Sequence, residues 1–329
     1  MRRLGVLGSM VWDRIHARDL RTEPVEEWGG ICYALSAAAA ARPEGWDIVP
    51  IIKIGADLSE AAFRFLRSLD TLDLEHGIRV VDAPNNRVEL HYRDSARRTE
   101  RLTGGVPPWT WPELAPIVRD LDALYVNFIS GFELDLPTAQ QLRLAFDGPI
   151  YADLHSIFLG VGPDGTRIPR PLEAWGEWLR CFDIVQVNED ELELLAARWQ
   201  GDPWRFAADV VGEDLRLLLV TLGARGAAYV AAPSFEGDPL SWRHSGIVRR
   251  SLVGAPGAVR SERIAIVNGP RDGDPTGCGD VWGVTCALHL ISGSSLEAAM
   301  LAANRAAARN VEHHGASGLH LHLTGRLGA

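Results

Sequence analysis

The densest run of chemically useful residues is Asp274-Pro275-Thr276-Gly277-Cys278-Gly279-Asp280, directly ahead of the apolar stretch VWGVTCALHLI. A Gly-x-Gly entry into a helix aims successive backbone N–H groups at one spot. With the helix macrodipole, those donors make an anion site that needs no cationic side chain. Asp280, at the start of the helix, places a carboxylate beside that site. Phosphoryl transfer to an alcohol needs this pairing. The carboxylate accepts the hydroxyl proton while Gly277, Cys278 and Gly279 form an anion hole for the moving group. A glycine turn with an aspartate cap would spell the same letters. Two acids bracketing T-G-x-G before a buried helix favour chemistry.

Composition restricts which cradle is available. The 33 basic residues include a single lysine, Lys53, and no Gly-Lys pair occurs, which excludes a P-loop. The HRD and DFG motifs of protein kinases are also absent. An anionic substrate must therefore be held by arginine, backbone N–H groups or a metal. A net charge of −10 without a basic tract makes nucleic acid an unsuitable partner. No run of about 18 apolar residues is present, so no membrane-spanning helix is expected. MRRLGVLGSMVWD reaches Asp13 before a signal peptide's apolar region could complete. Four cysteines without a CxxC pair read as reduced thiols, hence a cytoplasmic protein.

The elements that must position these residues alternate along the chain. Strand-like apolar runs fall at 3–8, 48–55, 121–129, 150–154, 183–188, 215–222, 226–231 and 263–268. Helical patterns fall at 30–41, 58–69, 111–120, 137–146, 171–181, 189–198, 204–212, 280–291 and 295–310. Continuous apolar strands are buried on both faces. The expected fold class is thus α/β: a doubly wound, mostly parallel sheet flanked by helices, in one domain over 1–329. In NRVELHYR, Val88, Leu90 and Tyr92 alternate with Arg87, Glu89 and His91, a strand with one wet face. With the non-helical stretch after Asp13, it predicts a small β-structured lid from segments of approximately 14–28 and 86–103. A decorative hairpin is the alternative.

DPTGCGDVW resembles the second signature, D-T-x-G-A-G-D, of the ribokinase-like (PfkB-type) carbohydrate kinases. Further matches follow the order of that family. Asn188-Glu189-Asp190-Glu191 resembles its N-x-x-E motif, and Thr221-Leu222-Gly223-Ala224-Arg225-Gly226 its T-x-G-x-x-G turn. Gly8-Ser9, Asp13 and Gly29-Gly30 resemble the sugar-binding first signature, and LAANRAAARNVEHHGA, with Asn304, the closing helix. The matches span residues 5 to about 316.

The resemblance implies a ribokinase-like fold and an ATP-dependent phosphotransferase acting on a hydroxyl of a sugar or sugar-like molecule. Asp280 would be the base above the Gly277–Gly279 anion hole, and Asp13, Gly29 and Gly30 would contact the acceptor. Thr221, Gly223, Gly226 and Asn304 would line the nucleotide. Asn188 and Glu191 would organise Mg2+ through water, although Asn188 with Glu191 also fits a capping box. A homodimer through the lid is one arrangement left open. Ala34 stands where the family has a sugar-binding asparagine, and Asp153-Leu154-His155-Ser156 replaces D-x-N-x-R. Glu60 stands where a glycine is expected, and Cys278 replaces the alanine of the anion hole. These departures leave the acceptor open. A nucleoside kinase, suggested by Tyr33 and Ala34, and a non-catalytic ligand-binding regulator are the alternatives.

Three weaker patterns remain. Gly160-Val161-Gly162-Pro163-Asp164-Gly165 satisfies GxGxxG, but its prolines deny it the helix that a dinucleotide site needs. His313, His314, His320 and His322 could be imagined as a zinc site, but LHLHL predicts a structural C-terminal strand. Arg93, Arg97 and Arg98 could either fork onto a substrate anion or form a solvated loop.

Overall fold

The computed structural model describes residues 1–16, 23–92, 98–197, 199, 201–242, 257–267, 269 and 271–326. Arg93, Arg97 and the middle of each expected lid segment (17–22 and 93–97) lie outside the described residues, as do the ends of two expected elements at 198 and 268. In chain order the elements begin with β1 (Arg2–Leu7), β2 (Met10–His16), β3 (Val25–Gly30), α1 (Ile31–Ala41), β4 (Trp46–Gly55), α2 (Ser59–Arg67), β5 (Ile78–Val81), β6 (Arg87–Tyr92) and β7 (Arg98–Thr103). They continue with α3 (Trp111–Val118), β8 (Ala123–Asn127), α4 (Leu136–Ala145), β9 (Ile150–Asp153), β10 (Leu159–Val161), β11 (Arg167–Pro169), α5 (Trp175–Leu179), β12 (Ile184–Asn188), α6 (Glu189–Ala196) and α7 (Pro203–Val210). The chain closes with β13 (Leu217–Thr221), β14 (Ala227–Ala231), β15 (Arg260–Ile264), α8 (Cys278–Ile291), α9 (Leu296–Asn310) and α10 (Leu319–Thr324).

Among the described residues, nine strands form one sheet in the order β15-β14-β13-β12-β9-β8-β1-β4-β5. It is parallel from β5 to β13, with β14 and β15 added antiparallel at one edge. Side chains alternate between two cores, as a period of two requires. Leu217 and Leu219 face the core under α1, α8 and α9, while Leu218 and Val220 face the core under α3, α4, α6 and α7. The expected doubly wound α/β class is what the chain forms.

Two features place the site. Strand order reverses at β1, which has β4 on one side and β8 on the other. A crevice opens at the carboxyl ends of strands at such a switch point. Beyond it lies a four-stranded sheet, β3-β2-β6-β7, in which β2 pairs parallel with β6. The strand carrying Asp13 starts at Met10, just two residues after β1, so Asp13 lies mid-strand.

One expectation is corrected. Residues 319–324 form α10, not a strand. Gly318 and Gly325 flank it with φ of 72° and 74°, and Leu319 and Leu323, four apart, turn to the core. Alternation over six residues fits either period, and the glycine caps decide it.

Candidate active site

Several polar groups of the crevice sit at the carboxyl ends of strands or in the first turn of a helix. Asn127 ends β8, Asp153 ends β9, Asn188 ends β12 and Thr221 ends β13. Asn188 and Thr221 are register partners. α8 descends onto this edge with its N-terminus first. Its N-cap, Gly277, has φ 75°, and a side-chain carbon there would lie 2.2 Å from the Tyr33 ring. Only glycine permits both that turn and that approach. Six residues on, Gly283 lets the helix rest on Tyr125 and Gln186, 2.4 Å from where a Cβ would be.

Asp280 therefore reaches the strand ends. Asn127 Nδ2 donates to Asp280 Oδ1 at 2.6 Å, joining residues 153 positions apart. Gln186 Nε2 donates both to Asp153 Oδ2 (2.8 Å) and to the Gly279 carbonyl (3.1 Å), while Tyr151 donates to Gln186 Oε1 (2.7 Å). This chain of bonds fixes the helix end against β9 and β12. Gly277 and Gly279 N–H groups have no acceptor among the described residues. The Cys278 N–H closes a turn on the Pro275 carbonyl (3.1 Å). Burial pushes the Cys278 thiol up to about 11, so it stays protonated at neutral pH. It lies against Asn310 and the Ala307 carbonyl.

His155 is the cation of this edge. Its Nδ1 meets Glu191 Oε1 at 3.0 Å. Burial by itself would lower its pKa. The Glu191 hydrogen bond and the charges of Glu191, Asp153 and Asp280 outweigh burial and raise the imidazole to about 9. Burial pushes the Asp153 carboxyl upward, with Glu191 and Asp280 adding to it and His155 opposing. Glu191 has a second task. Its Oε2 accepts from Asn188 N (2.8 Å), while Asn188 Oδ1 accepts from Glu191 N (2.9 Å), so the capping box and the site share the same residues.

Asp153, His155, Asn188, Cys278 and Asp280 line one cleft of about 370 Å3. On one side stand Asp13, Gly30, Val88, Leu90 and Glu100 of the small sheet, with Tyr33 and Arg167. A Cβ on Gly29 would lie 1.7 Å from Asp13 Oδ2, so the bare glycine is what admits that carboxylate. On the other side stand Asn188, Thr221, Gly223, Gly226 and Asn304. Gly226, at φ 92°, lets β14 approach the Ile264 carbonyl. Asn304 lines the cleft, yet its amide accepts from Trp282 Nε1 (2.8 Å) and donates to the Ile264 carbonyl (3.0 Å), clamping α8, α9 and β15 together. Asp280 acts on both sides: its charge raises Tyr33 and Cys32 after burial has done so, and also His155 and Asp153.

Several expected residues do other work. Ala34 is fully buried and does not line the cleft. Ser9 donates to Glu133 Oε1 (2.7 Å). Lys53 pairs with Glu113 at 2.8 Å beneath the Trp109 ring. Gly160 and Val161 belong to a hairpin of β10 with β11, without a following helix. Asn127, Gln186 and the role of His155 are not legible in the sequence. Asn127 ends β8, Gln186 sits mid-β12 and His155 follows β9, each a single residue with no local pattern.

The chain has the ribokinase-like fold. Thermotoga maritima ribokinase superposes with a TM-score of 0.71 over 100% of both chains, at 17% identity. Arabidopsis thaliana ribokinase, complexed with ribose and ATP, gives 0.67 over 100% of both at 18% identity. Methanocaldococcus jannaschii nucleoside kinase gives 0.67 over 99% and 98% at 14% identity. No family model matches the sequence, and no curated protein does. The small sheet lines one side of the crevice at the strand switch point. No helix among the described residues is long and apolar enough to cross a membrane.

Proposed function

We propose that the chain is a phosphotransferase that moves the terminal phosphoryl group of ATP to a hydroxyl of a sugar or sugar-like molecule. The observation that carries this is Asp280. It is a carboxylate in the first turn of α8, oriented by Asn127, between the two sides of one cleft. In the proposed step the acceptor oxygen bonds to the γ-phosphorus as the bond to the β-phosphate oxygen breaks. The hydroxyl proton passes to Asp280 and ADP departs.

The Gly277 and Gly279 N–H groups and the α8 dipole face the charge that develops on the moving group, with Cys278 shaping the turn between them. The protonated His155 adds positive field at the carboxyl edge. Asp13, with Gly29 and Gly30 giving it room, holds the acceptor's hydroxyls. Thr221, Gly223 and Gly226 border the nucleotide, and Asn304 holds that wall in place. The segments at approximately 14–28 and 86–103 act as the lid over the acceptor, excluding water.

Mg2+ fits the donor set. Asp153, Asn188 and Glu191 offer oxygen atoms to a hard cation that keeps most of its water. Both Glu191 oxygens are already engaged, so contact through water suits it. Bound there, the ion would neutralise charge on the ATP phosphates.

Val11, Val88, Leu90 and Ile129 give the acceptor side an apolar wall, which favours a nucleoside as the second reading. A panel of ribose, hexoses and nucleosides with ATP separates the two. Asp280→Asn is expected to keep ATP binding and lose transfer. Near-normal turnover in that variant would overturn the mechanism.

A further inference from the structure

The small sheet has a second face. Asp13, Val88 and Leu90 line the cleft, so alternation sends Arg14, His16, Glu89 and His91 to the opposite side. The parallel register sets Arg14 opposite Glu89 and His16 opposite His91. Glu89 and His91, two apart on β6, thus share that outer face with His16 of β2.

The three side chains converge. His16 Nε2 lies 2.9 Å from Glu89 Oε1, and His91 Nε2 lies 3.6 Å from the same oxygen. The imidazoles stack with centroids 4.1 Å apart and planes 12° from parallel. One ligand atom from each residue falls within 4.8 Å of the others, and no other such trio of histidine, cysteine or acid occurs among the described residues.

We propose that His16, Glu89 and His91 form a site for a divalent transition-metal ion of the zinc type on the outer face of the small sheet. Two imidazole nitrogens and one carboxylate oxygen fill three positions of a tetrahedron, leaving the fourth to water from the exposed His91 side. Imidazole donors suit Zn2+, Co2+ or Ni2+, whereas Mg2+ prefers oxygen. The site is therefore chemically distinct from the magnesium position proposed at Asn188 and Glu191. Small rotations of the rings toward the carboxylate bring the donors to roughly 2.0–2.2 Å from one ion. Such an ion would tie β2 to β6, whose inner faces carry Asp13, Val88 and Leu90.

The test titrates the full chain, freed of metal by chelation, with Zn2+ or Co2+ alone. Calorimetry of the wild type is expected to show one ion bound per chain that the His16→Gln/His91→Gln variant does not bind. Loss of outer-shell partners costs about 10–100-fold in affinity, and loss of a direct ligand at least that. The single variants His91→Gln and Glu89→Gln are therefore expected to bind at least about tenfold more weakly. Co2+ should give a visible absorption band in the wild type only. Hydrogen exchange at 10–16 and 87–92 should slow on adding Zn2+ to the wild type and stay unchanged in His91→Gln. If the wild type binds no ion, or the double variant binds the same number equally tightly, the site does not exist. Should the double variant fail to fold, the two single variants decide the question in its place, since His91 is exposed. Affinity unchanged in both of them would overturn the site.

Discussion

Strands β9 and β12 carry buried charge at both ends, and the two ends behave differently. At the amino end, Arg143 meets Asp183 at 2.7 Å, and Asp183 Oδ2 also accepts from Ile150 N at 2.8 Å. Arg143 further donates to the Phe146 and Gly148 carbonyls. This cation and carboxylate are both enclosed. At the carboxyl end, Asp153, Glu191 and Asp280 surround the single imidazole of His155, which keeps 40% of its side chain open. The first arrangement is electrically closed and needs nothing more. The second carries surplus negative charge facing a cleft, and a cationic ligand or a proton must balance it. Closed pairs fasten a sheet, whereas unbalanced ones bind.

The sharpest way to break this contrast is Asp280→Asn. Loss of the proposed general base is expected to cut kcat by about 10^2–10^4-fold, read in a coupled ATP assay. The thermal midpoint should hardly move, because the Asn127 contact survives. Arg143→Ala should do the reverse. Leaving Asp183 buried without its partner is expected to cost about 3–5 kcal/mol in denaturant unfolding, with kcat retained in whatever remains folded. If Arg143→Ala instead lowered kcat without changing stability, the division between the two ends would fail.

Asn127→Ala should fall between them. A hydrogen bond to a charged group is worth about 1.5–3 kcal/mol, so kcat should drop roughly 10–100-fold with the KM for ATP unchanged. The smallest effect concerns pH. His155, raised to about 9 from an ordinary 6.5, contributes stability that is fully present below 6.5 and lost as pH rises through 9. Chelated, nucleotide-free protein should thus lose thermal midpoint between those values. His155→Gln should show a flatter profile there.

The amino-acid sequence displays these two ends unequally. Gly277 to Asp280 is contiguous, so the cradle proposed there can be read without coordinates, as can the parallel sheet from apolar runs such as LLLVT. Asn127 meets Asp280 across 153 positions, and Gln186 meets Gly279 across 93, so only the strand order brings them together. His155 looks like one unremarkable histidine until three carboxylates close around it. The Arg143–Asp183 pair is equally silent. A helix arginine and an aspartate just ahead of a strand, forty residues apart, have no shared pattern. LHLHLT misleads for the opposite reason, since local alternation there mimics a strand while flanking glycines set a helical turn.

The walls of the cleft are also separate in the gene. Strands β2, β3, β6 and β7 all precede residue 104, whereas Asn188, Thr221, Gly223, Gly226 and Asn304 all follow residue 187. On the proposed reading, recombination between those stretches would swap the acceptor-facing block as a cassette and leave the phosphoryl-donor wall intact. Arg167, 3.9 Å from Glu100, would have to travel with the cassette. On that reading, such a layout would let recognition change while the reaction is kept.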